Sequence, residues 1–424
     1  MLNLLFQYVK EANLMLKIVH PICCGIDVHK SFVIAIIAIT DDKNVTTYHR
    51  RRFSTFTSDL KKLKEWLEYY SCTDVCMEST GKYWIPVFNI LEEDMNICLA
   101  HPKYVKAIKG KKTDKRDAKW IADLFKHDLV ASSFIPPLKI RQLRDLFRYR
   151  MKITYLKSSE KNRYQNSLTW SNIQIASVVS DVFGKSSQKI IESFLANKNN
   201  DFDIVSPMGK NMKSSVEDIK ASIEGNITDE QANKLKVIKA HYEALIFCQN
   251  ELDSLISKLG LEFDQEVKLI QTIPGCSNKL TALRIISEIG VDMSKFPSAG
   301  NLCSWAGLVP RNDESAGKKH STKITKAGRY LKPLLVQIAN AVVTSKKYPE
   351  HRNKYLQLKK RRGHKKAIIA IARRLLVAAY HILRDSVCYN ADLYNIPELK
   401  QSKKIMSIKE AIRFAQSQGF TVNI

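Results

Sequence analysis

Four carboxylates, Asp27, Glu78, Asp114 and Asp117, have the types and spacing that could do chemistry in this chain. Asp27 lies near the end of an apolar, β-branched run, between Gly25 and the polar turn His29-Lys30-Ser31. Glu78 ends the run Val75-Cys76-Met77, just ahead of Thr80-Gly81. Asp114 and Asp117 are three apart, so one helical turn sets both on the same face. Four such groups brought together repel, each pair at ~4 Å costing about 4 kcal/mol at an effective dielectric near 20. Divalent cations relieve that repulsion, and two Mg²⁺ ions ~3.5–4 Å apart stabilise both the attacking and the leaving oxygen of a phosphoryl transfer. Mn²⁺ is the natural substitute. Taken singly, the acids read as a helix N-cap (Asp114), a turn residue (Asp27) and a surface carboxylate (Glu78). Taken jointly, on this strand order and in so basic a chain, they read as a metal site. Lys111, Lys112, Lys115 and Arg116 surround the Asp pair, where a phosphate backbone would approach.

A second candidate lies far downstream. Gly307-Leu308-Val309-Pro310-Arg311 is followed by Glu314-Ser315-Ala316-Gly317-Lys318-Lys319, then by Lys326-Ala327-Gly328. Glycines around a serine let its hydroxyl reach a bulky substrate. The cations Arg311, Lys318, Lys319 and Lys326 would offset charge on a pentavalent phosphate. From these residues alone, Ser315 reads first as an ordinary loop serine, with catalysis the minority reading.

The bulk composition suits a polyanionic partner. Lys and Arg total 68 against 42 Asp and Glu, a formal net charge of +26. That excess predicts nucleic acid or an acidic membrane surface. No stretch approaches the ~18–20 uncharged apolar residues of a spanning helix, which argues against the membrane. A hydrophobic fraction of 45% with few glycines and prolines predicts a globular, largely helical chain. The nine cysteines lack metal-site spacing and are expected as reduced, mostly buried thiols. Residues 1–20 form an N-terminal extension that does not look like a signal peptide; Met15 is an alternative start.

The elements that must position these residues come in three groups. Ile22 to Val28 and Phe32 to Ile39 predict a hairpin, and Val45 to Phe53 a third strand. A helix from Ser58 to Tyr70, a short strand ending at Glu78, a helix from Tyr83 to Asp94, a strand from Ile97 to Ala100 and a helix from Lys112 onward follow. This pattern describes an α/β RNase H-like (resolvase-like) domain over 21–135. Pro136-Pro137 marks its end. Lys139 to Arg163, with nine basic and two acidic residues, predicts a solvated or nucleic-acid-facing helix. The stretch to about Asn226 is polar and poorly periodic. From Thr228, which forms a capping box with Gln231, an a/d pattern runs through Leu235, Ile238, Tyr242, Leu245, Leu252, Ile256 and Leu259 to Gly260. It predicts a coiled-coil arm, within one chain or between chains, in a helical linker domain over 136–265. A mainly α-helical segment over 266–385 and a tail over 386–424 complete the chain. In it, Ile273-Pro274-Gly275 resembles a helix-hairpin-helix turn that offers amides to a phosphate. Ser345 to Leu375 carries twelve Lys/Arg against the single acid Glu350, and Lys360, Arg361 and Arg362 are expected to contact phosphates.

The blocks GIDVHK at 25–30, MESTG at 77–81, KTDKRDA at 112–118 and GLVPR…ESAG…KAG at 307–328 together resemble the DEDD-type transposases of bacterial insertion sequences, the serine-containing, bridge-RNA-guided recombinases. The resemblance covers about 22–165 and 266–380. It implies an RNase H-like N-terminal domain, a coiled-coil linker and a C-terminal transposase domain. It implies Asp27, Glu78, Asp114 and Asp117 as metal-binding acids and Ser315 as the nucleophile of a phosphoserine intermediate. Ser321 is the alternative hydroxyl, because Ala316 separates Ser315 from Gly317 where the family has serine followed directly by glycine; Tyr330 reads as an apolar-face position of the next helix. Double-stranded DNA of element ends and target, a structured non-coding guide RNA and a homotetramer are the implied partners, and the nucleoid of the bacterial cytoplasm the implied location. A metal-dependent nuclease or junction resolvase, using water instead of Ser315, is the rival reading.

Overall fold

The computed structural model describes residues 16–78, 81–105, 114–197, 203–209, 212–310, 313–315, 318–321 and 323–394. The chain divides into two compact units, Met1–Ile135 and Pro136–Ile424.

The first unit is built on a five-stranded mixed sheet. Its strands are β1 (Ile22–Val28), β2 (Phe32–Thr40), β3 (Thr46–Ser54), β4 (Asp74–Glu78) and β5 (Asn96–Ala100), in the order β3-β2-β1-β4-β5. β1, β2 and β3 are an antiparallel meander, whereas β4 and β5 run parallel to β1 and to each other. Both faces are covered, which is why β1 and β2 read as continuous apolar runs. One face takes Ile26, Val28, Val33, Ala35 and Phe53 against Leu60, Leu63 and Leu67 of α1 (Thr57–Tyr69) and Val87 and Leu91 of α2 (Trp84–Leu91). The other face takes Cys23, Ala38, Cys76 and Cys98 against Ile121, Ala122 and Phe125 of α3 (Asp114–Lys126). Burying aliphatic side chains of this size contributes ~1.5–3 kcal/mol each, so the sheet is a firm platform for whatever stands at its rim.

The second unit is helical. α4 (Leu138–Trp170) lies along α7 (Asp229–Leu259), and the pairings Arg150–Asp253, Lys157–Gln249 and His241–Glu160 show that the two run antiparallel. Within the heptad pattern of α7, Leu235, Ile238, Leu245, Leu252 and Ile256 are buried. Contrary to the solvated helix predicted for 139–163, α4 buries Ile140, Leu143, Phe147 and Ile153. Several of its cations have partners. Arg148 makes a two-pronged pair with the buried Glu288, and burial pushes the neighbouring Arg144 guanidinium down to about 10. The partner acid lies 140 residues away, so local charge counting could not see it.

The unperiodic stretch after α4 also holds a core. Ile173, Ile175, Ile190, Ile191, Ile219 and Ile223 bury with Tyr164 and Phe194 around α5 (Lys185–Ala196) and α6 (Val216–Ser222). The rest comprises α8 (Asp264–Gln271), α9 (Lys279–Ile289), α10 (Ala299–Trp305), a hairpin of β6 (Asp313–Ser315) and β7 (Lys318–Ser321), and α11 (Leu331–Thr344), α12 (Pro349–Arg362) and α13 (His364–Asp385). Seven cysteines are buried, and Cys248 and Cys388 are exposed. Among the described residues, no helix is long and apolar enough to cross a membrane.

Candidate active site

The acids stand at one end of the α3-covered face. Ile26 pairs with Met77 across β1 and β4, so Asp27 and Glu78 follow side by side at the ends of adjacent parallel strands. Asp27 is buried and Glu78 half-buried. The third acid is carried in by a glycine. A Cβ on Gly25 would lie 2.3 Å from the Ala118 carbonyl oxygen and 2.5 Å from the Ala122 amide nitrogen, so α3 sits backbone to backbone on β1. Gly25 and Asp27 are two apart on one strand and share that face. Asp117, half-buried, immediately precedes Ala118 on the helix held there. Asp114 begins α3, and of its side chain only the helix that carries it is described, as for Lys115 and Arg116. Lys111 and Lys112 lie outside the described residues.

His29 is the neighbour that sequence reasoning overlooked. Its Nε2 lies 3.2 Å from Asp27 Oδ2, and its ring packs 4.5 Å from Phe32. The signal was available, because Asp27 and His29, two apart, share one face of an extended chain. Among the described residues, no three His, Cys, Asp or Glu side chains form a group that could hold a metal. The donor set is nevertheless all carboxylate oxygen, which suits a hard, oxygen-seeking divalent cation.

The serine candidate occupies a different scaffold. Ser315 ends β6 and pairs with Lys318, so it belongs to a strand and not to the open loop expected. Only the backbone is described at Ser315, Lys318 and Lys319, and Arg311 lies outside the described residues. Beneath the hairpin, Pro310 bridges to Ile324. Two glycines cross below that bridge. Gly307 (φ +67) faces the Ala327 carbonyl, and Gly328 (φ +66) faces that of Ala306, where a Cβ would come within 2.0 Å of the oxygen. Lys332 Nζ donates to the Thr325 carbonyl at 2.7 Å, and burial pushes its ammonium below the usual lysine range. Ser321, the alternative nucleophile, accepts a hydrogen bond from the Lys323 amide at 3.2 Å. Tyr330 is the N-cap of α11 and not an apolar-face residue; its ring lies 4.3 Å from the Arg148 guanidinium.

The basic candidates divide. Lys326, Lys360, Arg361 and Arg362 are exposed, the last three in the final turn of α12. The turn Ile273-Pro274-Gly275 joins α8 to α9, two helices as expected, but its glycine faces the protein. Gly275 (φ +80) is turned onto α11, where a Cβ would lie 2.8 Å from both Ile338 and Val342. Asn278 Oδ1 accepts the amides of Leu280 and Thr281. The glycine serves packing, and those first amides of α9 already have a partner.

Comparison with known proteins adds two matches. Residues 24–172 match a family model described as a transposase, of the DEDD type of IS110, and residues 267–356 match a model described as transposase IS116/IS110/IS902 family. Together they span more than half of the chain. The pilin gene-inverting protein of Moraxella bovis is 32% identical over 30% of this chain and 39% of its own length. The transposase for insertion sequence element IS1111A of Coxiella burnetii is 33% identical over 26% of this chain and 31% of its own. A probable family 20 transposase of Pseudomonas aeruginosa is 21% identical over 74% of this chain and 85% of its own. The chain therefore aligns with less than two-fifths of the length of the first two relatives.

Proposed function

We propose, from the premise that the chain belongs to the IS110/IS116 transposase family, that it is a transposase that cuts and rejoins DNA through a phosphoserine. The observation that carries this reading is the contact of α3 with β1 at Gly25, which brings the Asp117 turn toward the strand ends that carry Asp27 and Glu78. The first unit has the strand order and covering helices of an RNase H-like domain.

Asp27, Glu78, Asp114 and Asp117 are the residues that would hold Mg²⁺, with His29 fixing the Asp27 carboxylate. The bound ion supplies charge neutralisation at the phosphate oxygens. Ser315 Oγ attacks phosphorus; the P–Oγ bond forms, the bond to the 3′ oxygen breaks, and that oxygen leaves as a hydroxyl once protonated. A 3′ hydroxyl of the partner duplex then reverses the exchange and frees the serine. The phosphoserine conserves the bond energy, so joining needs no nucleotide cofactor. Site choice falls to a structured RNA paired with donor and target DNA, in a tetramer that includes the α7 arms.

Covalent trapping tests the reading. Protein, co-expressed element RNA and Mg²⁺ are incubated with labelled element-end DNA and resolved on a denaturing gel. A labelled protein band that disappears in Ser315→Ala supports serine-linked recombination. Cleaved DNA without such a band, equal in both proteins, would replace it by a water-using nuclease.

A further inference from the structure

The edge strand β3 reads His49-Arg50-Arg51-Arg52, three consecutive exposed arginines that no sequence motif singled out. Among the described residues only β2 pairs with this strand, which leaves it at the edge of the sheet. None of the three guanidinium groups has a carboxylate at ion-pair distance among the described residues, although Lys62, Lys64 and Lys126 of the same unit all do.

Strand register separates the three. Asp27 pairs with Ile34, and Ile34 with Arg52, so Asp27 and Arg52 lie in one cross-strand row and on one face of the sheet. Spanning two strand spacings, that row is roughly 10 Å wide. Arg50 shares the face two residues along. Arg51 points the other way, its guanidinium 5.1 Å from the ring of Phe53, which buries on the α1 face. Arg52 is fixed in place, lying 4.0 Å above the Phe32 ring, which in turn packs on His29. Arg52, Phe32 and His29, each in contact with the next, thus lead from the edge strand to the Asp27 carboxylate. On the same face, Lys119 lies 4.1 Å from the Tyr48 ring and continues the cationic row.

We propose that this edge is a DNA track: Arg50 and Arg52 each hold a backbone phosphate of the duplex whose phosphodiester reacts at Asp27. The inference rests on the reading of the acids as the DNA-processing site. Two residues along a strand span roughly 6–7 Å, about two nucleotide rises of one DNA strand, so the two arginines serve separate phosphates. The competing explanation is that edge charges only prevent other strands from adding to the sheet. That role would use Arg51 as fully as its neighbours, because all three line the same edge.

The test uses full-length wild type, Arg50→Gln/Arg52→Gln, Arg51→Gln and Arg50→Glu/Arg52→Glu, the last keeping the edge charged. Binding of a fluorescein-labelled DNA duplex is followed by anisotropy over a salt series, with sedimentation velocity on each protein. The track predicts that Arg50→Gln/Arg52→Gln flattens the slope of log K against log salt by about 1.8, from two lost contacts at ~0.9 each. Arg51→Gln should keep the wild-type slope, and Arg50→Glu/Arg52→Glu should bind more weakly still without aggregating. An equal loss in Arg51→Gln, or an unchanged slope with aggregation of the double Gln variant, would overturn the track in favour of edge protection. A slope lost on an RNA duplex but kept on DNA would also overturn it. Asp27→Asn in the cleavage assay separates the two claims. An unchanged slope with Asp27→Asn inactive removes the track and leaves the catalytic reading. A flattened slope with Asp27→Asn fully active keeps the edge as a DNA surface and removes the catalytic reading.

Discussion

Asp27 and Ser315 are held by different proportions of side-chain and backbone packing. Asp27 lies one residue before the end of a strand buried on both faces, and its position follows from the apolar packing on either side of the sheet. Ser315 ends a three-residue strand whose base is fixed by Gly307 and Gly328 passing one another. In the first region side-chain packing holds the strands and backbone meets backbone at one point, Gly25; in the second, the base of the hairpin rests on backbone meeting backbone at both glycines. A packed sheet spreads a perturbation over many neighbours, whereas a crossing of two glycines has almost nothing to yield.

The largest effect should come from Asp27 itself. Asp27→Asn is expected to lower DNA cleavage by at least ~10³-fold, about 4 kcal/mol of barrier, while thermal unfolding stays near wild type because the residue stands at a strand end. His29→Ala should cost about 10- to 100-fold and raise the Mg²⁺ needed for half-maximal rate, as the loss of a residue that orients a ligand does. A variant that cleaves normally at wild-type Mg²⁺ would detach His29 from the site.

The glycines probe the contrast directly. Gly328→Ala meets both a left-handed backbone and the Ala306 carbonyl, and should destabilise the hairpin by about 3 kcal/mol. Hydrogen exchange should then rise over 307–332 and stay unchanged in β1–β5. Gly25→Ala should give the reverse map, with loss of protection in β1 and α3. A global rise in both variants would show that the two scaffolds do not fail separately.

Acid should act on the second unit first. His351 is fully buried against Tyr389, and burial holds its imidazole down to about 4, against an ordinary value of 6.5. As pH falls, the unfolded chain takes up this proton before the folded one does. Stability is therefore lost from about pH 6.5 down to about 4, by up to ~3 kcal/mol, and is complete above that window. His351→Phe should flatten this dependence in urea titrations at a series of pH values; an unchanged slope would place the acid sensitivity elsewhere.

The smallest effect is a count of thiols. Cys248 and Cys388 should alkylate quickly in the native protein, while Cys23, Cys72 and Cys276, pushed up to about 12 by burial, should resist. Fast labelling of Cys23 would mean that the sheet opens as readily as the hairpin.

How much of this was legible depends on how far each residue's partner lies along the chain. The five strands and the helix opening at Asp114 follow from short-range alternation and helical period, with ends displaced by only a residue or two. The pairing of Asp27 with His29 was equally local and was overlooked. The run Lys139 to Arg163 reads as solvated because the carboxylate that pairs with its Arg148, Glu288, lies on another helix. Ile173, Ile175, Ile219 and Ile223 lie in or beside elements too brief to display a period, whereas Ile190 and Ile191 lie on the twelve-residue α5, whose apolar face was there to be read. Gly275 looked like part of a phosphate-binding turn because sequence shows that a glycine is needed without showing which neighbour demands it. Ser315 read as loop because a three-residue strand leaves no alternation to detect.

The seating of α3 on Gly25 also bears on how the protein can change. Since the contact lies within the helix, the position of Asp117 is indexed to β1 and not to the chain that leads into it. A methyl group at position 25 would therefore lift α3, and Asp117 with it, away from the strand ends that carry Asp27 and Glu78.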